Sequence, residues 1–347
     1  MGLYHVKNSV KVCGISISSV VRRNPSGNGF ASPLHQGWLI CICLLFAVCH
    51  AKAQEEAVLS GRTLLPAYYN AGATGREDGF SATAFYRQQW IGMPGAPAYF
   101  GLSASAPVSF LGRKHGAGVL FSGSKRGLFT STSFCGQYAF RIKIGKGFLG
   151  IGAEAGLFNV AFDGTKIQIP DGDGLQPNDP GLPLRRVSGR AFDAGAGIYY
   201  EQRSFYVGMA CKHLLSPKVS FEQKYYHRLR RAYSLTAGYN IYPKGTLFSW
   251  HPSVMALTDL QSYSVDLCVE MMYNERWIAA VAYRPAESAG FAVGFRWDQL
   301  RFRYGFTMPI SALARQTWGS HEVTVSYLLP LKNAPEKGLR RTSARLL

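Results

Sequence analysis

The sequence predicts an all-β fold: a transmembrane antiparallel β-barrel of about 14 strands in a single domain. Three observations lead there. The 347 residues include 38 glycines and 13% aromatics, while charged residues make up only 17%, against about 25% in soluble domains. Apolar and polar side chains alternate with a period of two over most of the chain, which is the period of a strand. A secretory leader opens the sequence, yet no apolar run of about 18 residues follows that could cross a membrane as a helix.

In chain order, residues 1–53 hold no Asp or Glu. Lys7, Lys11, Arg22 and Arg23 precede the apolar stretch Leu39 to Val48, and Ala51-Lys52-Ala53 supplies a small-x-small cleavage site, so residues 1–53 read as a signal peptide and Gln54 as the mature start. The basic leader is long, which leaves a translation start downstream of Met1 as an alternative. A lipid anchor on Cys49 is another, although Val48 stands where a small residue is required. Residues 54–78 then form a periplasmic N-terminal segment, 79–330 the barrel, and 331–347 a basic tail, either a disordered end or a contact for an acidic partner.

The net charge of +18 would suggest nucleic acid in a cytoplasmic protein, but an exported chain meets lipid phosphate instead. Without the five basic residues of the leader, 33 Lys and Arg remain against 20 Asp and Glu. Cys135, Cys211 and Cys268 are the cysteines left after export. They are odd in number and widely spaced, which predicts neither a disulfide framework nor a metal pair, and no cofactor.

The alternation assigns faces. Phe134, Tyr138, Phe140, Ile142 and Ile144 share one parity, opposite Ser133, Cys135, Gln137, Arg141 and Lys143. Leu149, Ile151, Ala153, Ala155 and Leu157 alternate with Gly150, Gly152, Glu154 and Gly156; Val265, Leu267 and Val269 alternate with Asp266, Cys268 and Glu270. A sandwich also alternates, but segments this long and regular match the ~9–11 residues of a tilted membrane strand. Connection lengths agree: Gly145-Lys146-Gly147, Gln202-Arg203, Pro243-Lys244-Gly245, Asn274-Glu275-Arg276 and Asp298-Gln299 fall where short periplasmic turns belong, and the longest connections, 164–190 and 215–230, fall outside. Tyr138, Tyr273, Trp277, Tyr283, Trp297 and Tyr327 suit interfacial girdles.

Particular motifs then point to a family. Pro66-Ala67-Tyr68-Tyr69-Asn70 is similar to the N-P-x-Y-x-N-P-A-Y-A-G opening of the PorP/SprF family of outer-membrane proteins, with Asn70 and Gly75 kept and Ala71 and Ala73 in place of Pro and Tyr. Tyr86-Arg87-Gln88-Gln89-Trp90-Ile91-Gly92-Met93-Pro94-Gly95-Ala96-Pro97 resembles the family's Y-R-x-Q-W-x-G-x-x-G-A-P block, its most specific part. Tyr138 to Gly145 and Gly319-Ser320-His321-Glu322 resemble a later strand and the opening of the last one. The resemblance spans Gln54 to Pro330. It implies a barrel without catalysis that serves type IX secretion in Bacteroidota-type envelopes. Its implied partners are the translocon, periplasmic ring or anchor components, and secreted cargo with C-terminal sorting domains, including gliding adhesins in some members.

Three groups of residues are candidates for function. Trp90, Gly92, Gly95, Ala96 and Pro97 mark the first external connection, as a contact surface or as a turn that closes the rim. Lys224, Arg228, Arg230 and Arg231, with Lys218, His227 and interleaved aromatics, form an external basic patch suited to lipopolysaccharide phosphate or an acidic cargo. Arg87, Arg141, Lys143, Glu154, Asp266, Glu270, Arg296, Arg301, Arg303 and Glu322 share the polar parity and should line the lumen, as ion pairs filling it or as a selectivity lining, because a lipid-facing charge costs about 2–4 kcal/mol. Asp171-Gly172-Asp173-Gly174 lacks the spacing and closing Glu of a calcium loop, so no metal is expected. No catalytic motif is present, and His321 beside Glu322 is too little for a lipid hydrolase. The sequence therefore predicts a non-enzymatic outer-membrane component of type IX secretion. The alternative is a passive porin or small-molecule transporter.

Overall fold

A computed structural model describes residues 59–110, 112–167, 183–221 and 225–331. The leader, Lys224, the Asp171 loop and the tail beyond Leu331 lie outside the described residues. The strands are β1 (Gly79–Gln88), β2 (Ala98–Phe110), β3 (Arg113–Arg126), β4 (Phe129–Ile144), β5 (Gly147–Asp163), β6 (Arg186–Glu201), β7 (Phe205–Lys212), β8 (Lys218–Phe221), β9 (Tyr225–Arg228), β10 (Ala232–Tyr239), β11 (Phe248–Thr258), β12 (Tyr263–Tyr273), β13 (Trp277–Arg284), β14 (Ser288–Trp297), β15 (Leu300–Pro309) and β16 (Ser320–Pro330). β8 and β9 form a separate hairpin, so β7 pairs directly with β10, and the other 14 strands close an antiparallel barrel. The ring is sealed where β1 meets β16, from Gly79 opposite Pro330 to Gln88 opposite His321.

Strand parity sorts the side chains as the alternation requires. Phe134, Tyr138, Ile151, Leu157, Val269 and Val281 face outward, while Gln137, Asp266, Glu270, Arg303 and Thr324 are buried inward. With no water in the bilayer core, a barrel satisfies its backbone only by closing on itself, and the continuous ladder does this. Phe248, Tyr273, Trp277, Phe295, Trp297 and Tyr327 stand outward beside the rim that carries Gly79 and Pro330 and make a girdle there. Tyr138 instead sits well inside β4.

The rim with Gly79 and Pro330, periplasmic in an outer-membrane barrel, is turned by short connections such as Gly145-Lys146 and Asp298-Gln299. The connection 240–247 is longer, bridged by Ile241 and Trp250. The opposite rim is less uniform than alternating lengths suggest. Gly127-Leu128 and Pro285–Glu287 are tight, whereas 164–185 and 213–231 are long.

The N-terminal segment departs from the expected periplasmic position. Residues 59–78 lie inside the ring of strands as short helical turns at Arg62–Leu64, Pro66–Tyr69 and Ala71–Ala73. Leu59, Leu65, Tyr68 and Tyr69 form a buried core with Phe85, Tyr99, Leu120, Cys135, Met255 and Leu257 from five strands. A barrel of this size is too wide for wall side chains alone to fill, and residues 59–78 fill it.

Candidate functional site

The lumen and the outer rim are the two places where polar residues converge. In the lumen, strand residues spaced far along the sequence meet the inserted segment. Glu322 receives N–H donors from Ser60 (2.9 Å to Oε2) and Gly61 (2.6 Å to Oε1) and pairs with Arg87 Nη1 at 3.2 Å. Glu270 pairs with Arg303 at 2.5 Å and accepts from the Thr63 hydroxyl at 3.1 Å. Arg303 also donates to the Ser60 carbonyl (3.0 Å) and to Thr63 Oγ1 (2.9 Å). Arg62 pairs with Asp266 and donates to Ser253, and Arg284 holds the other oxygen of Asp266 at 3.3 Å. Buried charges persist where paired and hydrogen-bonded, and here each acid answers both a wall cation and the inserted segment.

Two amides complete the seating. Asn70 caps the turn Ala71–Ala73 by accepting from Gly72 N–H at 2.8 Å, and its Nδ2 donates to the Ile198 carbonyl of β6 at 3.0 Å. Gln137 donates to the Ala67 carbonyl (2.9 Å) and to Glu154 (2.8 Å). At Gly72 the approach is backbone on backbone: a Cβ there would lie 2.8 Å from the Gly150 carbonyl and 2.9 Å from that of Gly197. Nearer the periplasmic rim, Glu201 bridges Arg76 (3.3 Å) and Arg141 (2.7 Å).

The outer rim is interlocked. Trp90 N–H donates to Ser320 Oγ at 3.2 Å, Ile91 N–H to the Gly319 carbonyl at 2.8 Å, and Trp318 N–H back to the Ile91 carbonyl at 2.8 Å. Gly92, at φ +97°, faces the Trp318 ring, and Gly127 N–H reaches the Gly95 carbonyl at 3.0 Å. The hairpin β8–β9 folds against the inner wall of the outer mouth. Val219, Phe221 and the adjacent Leu229 bury themselves on Phe158, Val160, Phe162 and Val187. Arg228, Arg230 and Arg231 stay exposed, with Arg230 reaching Asp259 at 3.3 Å. Beside the inserted segment, against the inner wall of β3 to β6, a cavity of about 70 Å³ remains, with Tyr68 among its lining residues. It also holds the close His213–Asp193 pair, 2.5 Å apart.

The model of the type IX secretion system membrane protein family PorP/SprF matches residues 51–327. The chain belongs to this family. Family and closed barrel together make it an outer-membrane component of type IX secretion. No curated protein matches it. Among solved structures, it is similar to the Ralstonia pickettii toluene transporter TbuX, with a TM-score of 0.45 and 10% identity over 75% of this chain and 92% of that one. The Pseudomonas putida toluene transporter TodX gives 0.44 and 9%, over 78% and 94%. The Acinetobacter baumannii outer membrane protein Omp33 gives 0.43 and 5%, over 72% and 98%.

Within this PorP/SprF barrel, Arg87, Glu154, Asp266, Glu270, Arg303 and Glu322 all meet the inserted segment or its direct partners. Neither sequence reading of the lumen, wall-to-wall ion pairs or an open selectivity lining, anticipates that third component. Arg141 and Arg301 lie nearer the periplasmic rim, where they meet Glu201 and Glu77. Lys143 and Arg296 keep the polar parity but sit exposed at strand ends rather than in the lumen. Trp90, Gly92, Gly95, Ala96 and Pro97 hold the first loop to its neighbours while Gly92 and Gly95 remain exposed, so turn and surface are combined there. Glu322 points into the lumen, whereas His321 bonds to the Tyr304 hydroxyl at 2.6 Å and packs on Phe306; consecutive strand residues face opposite sides, which separates the pair considered for hydrolysis.

Sequence reasoning missed Arg62, Thr63 and Asn70. The available signal was the glycine on the lumen parity of β5 and β6, Gly150, Gly152 and Gly197, because glycine inside a strand marks another segment approaching closely.

Proposed function

We propose that this PorP/SprF protein is a closed, non-enzymatic barrel that anchors or assists the type IX translocon together with its periplasmic ring or anchor components. Its outer rim recognises secreted cargo through C-terminal sorting domains, gliding adhesins among them. One observation carries the reading: residues 59–78 fill the lumen and are tied to it by buried ion pairs. A barrel filled this way offers partners a rigid body with two rims. The exposed Arg228, Arg230 and Arg231 suit acidic cargo, or the phosphates of lipopolysaccharide around the outer mouth.

The test is a quantitative secretome of a deletion strain against its complemented parent. Loss of all proteins with C-terminal sorting domains supports a general component, and loss of one or two a dedicated cargo partner. An unchanged secretome, joined to steady open-channel current from the purified barrel, would instead establish the passive porin or small-molecule transporter.

A further inference from the structure

On its membrane face the barrel has an apolar hollow of about 700 Å³ across β7, β10, β11, β12 and β13. Its cause is local. Ile241 and Trp250 exchange two backbone hydrogen bonds, at 2.8 and 3.0 Å. In an antiparallel ladder such pairs recur at every second residue, so Tyr239 and Pro252 occupy the next rung. Proline has no N–H to give to the Tyr239 carbonyl, and the β10–β11 pairing stops at Gly238 opposite Ser253. Small outward residues, Ala237, Pro252 and Val254, floor the hollow, while Phe205, Tyr239 and Tyr283 wall it.

Its surroundings select the occupant. The hollow runs from the periplasmic ends of β7 and β10 through the middle of β11 and β12 to Val281 and Tyr283 on β13, so its β7–β10 end opens toward the headgroups of the inner leaflet. The three turns beneath these strands carry exposed cations, Arg203, Lys244 and Arg276, with Glu275 as the one acid in the same turns. Arg203 lies 5.8 Å from the centre of the Tyr242 ring, which holds it at that level. An apolar slot above three cation-bearing turns is complementary to one acyl chain and one phosphate.

We propose that this hollow is a binding site for a single inner-leaflet glycerophospholipid, with an acyl chain against Ala237 and Val254 and the phosphate at Arg203, Lys244 and Arg276. Neither the filled lumen nor the secretion role supplies this site.

Native mass spectrometry of the full barrel, released from phosphatidylethanolamine and phosphatidylglycerol vesicles into mild detergent, should find one phospholipid retained. Ala237→Phe and Val254→Phe, which fill the slot, should each lose it while keeping heat-modifiable gel mobility, and the triple charge reversal of Arg203, Lys244 and Arg276 should lose it as well. Independently of any variant, phosphatidylethanolamine with a diazirine on its acyl chain should cross-link the wild-type barrel mainly on β10 and β11. Retention of no phospholipid, retention of lipopolysaccharide in its place, retention unchanged in Ala237→Phe, or cross-links spread evenly around the barrel would each overturn the proposal.

Discussion

The Glu322 carboxylate of the last strand receives the Gly61 N–H at 2.6 Å, a bond that joins residues 261 positions apart. Glu322 is 2% exposed and faces Arg87 on the first strand, so one side chain holds both the seam of the barrel and the inserted segment. Removing one partner of such a pair leaves the other charge buried and uncompensated, at a cost of about 3–5 kcal/mol. Glu322→Gln should therefore free the N-terminal segment without opening the ladder. Amide exchange at Ser60 and Gly61 should accelerate while heat-modifiable mobility stays unchanged; equal protection in both proteins would refute the latch.

Glu270 and Arg303 form a second latch that shares Thr63. In a double-mutant cycle of Glu270→Gln and Arg303→Met, the coupling measured by thermal unfolding should reach about 0.5–3 kcal/mol. Simple additivity would mean that the two groups act separately.

Gly72 and Gly150 touch backbone to backbone, and a Cβ on Gly150 would lie 2.0 Å from the Gly72 carbonyl. Gly150→Val should unseat the segment from β5. Planar-bilayer recordings should show current steps for this variant where the wild-type barrel stays closed. A silent variant would mean that the remaining contacts keep the lumen shut.

Asp259 sits in the outer turn between β11 and β12, outside the membrane-spanning strands. Partial burial raises its carboxyl, but the N–H and hydroxyl of Ser262, the N–H of Gln261 and the Arg230 guanidinium lower it by more, so it stays below the usual carboxylate range. A depressed folded value means that the turn is stabilised above the unfolded pKa of about 3.9 and loosens as pH falls through the folded value. Exchange at Gln261 and Ser262, corrected for intrinsic rates, should be flat from pH 7 to about 5 and rise below about 4. Asp259→Asn should abolish that rise.

At Gly92 the backbone adopts φ +97°, against the ring of Trp318. A side chain in such a region costs about 1–3 kcal/mol. Gly92→Ala should uncouple the first external loop from the last, seen as faster proteolysis within Gln89–Pro97. Unchanged cleavage would show that the bonds of Trp90 and Ile91 are sufficient alone.

The wall of this molecule was legible and its filling was not. Asp266, Glu270 and Arg303 could be assigned to the inner face because a period of two leaves only two sides, and lipid excludes charge from one of them. Near strand ends the same rule loses force: Lys143 and Arg296 obey parity but stand in water at the rim. Residues 59–78 carry no period at all, since their short turns follow the space they occupy, and their partners Asp266, Glu270, Arg303 and Glu322 are hundreds of positions away. Two glycines and two prolines between Trp90 and Pro97 fixed the location of a turn, but not that Ser320 and Gly319 would hold it.

The contacts of Ser60 and Gly61 with Glu322 also order events in time. They join residues 60 and 61, which precede the first strand, to the last strand, so they form only after β16 has been synthesised and delivered. A barrel truncated or stalled before that strand lacks the carboxylate that holds residues 60 and 61. The seating of residues 59–78 is thus the last contact of the fold to become possible, since it needs the whole ring of strands around it.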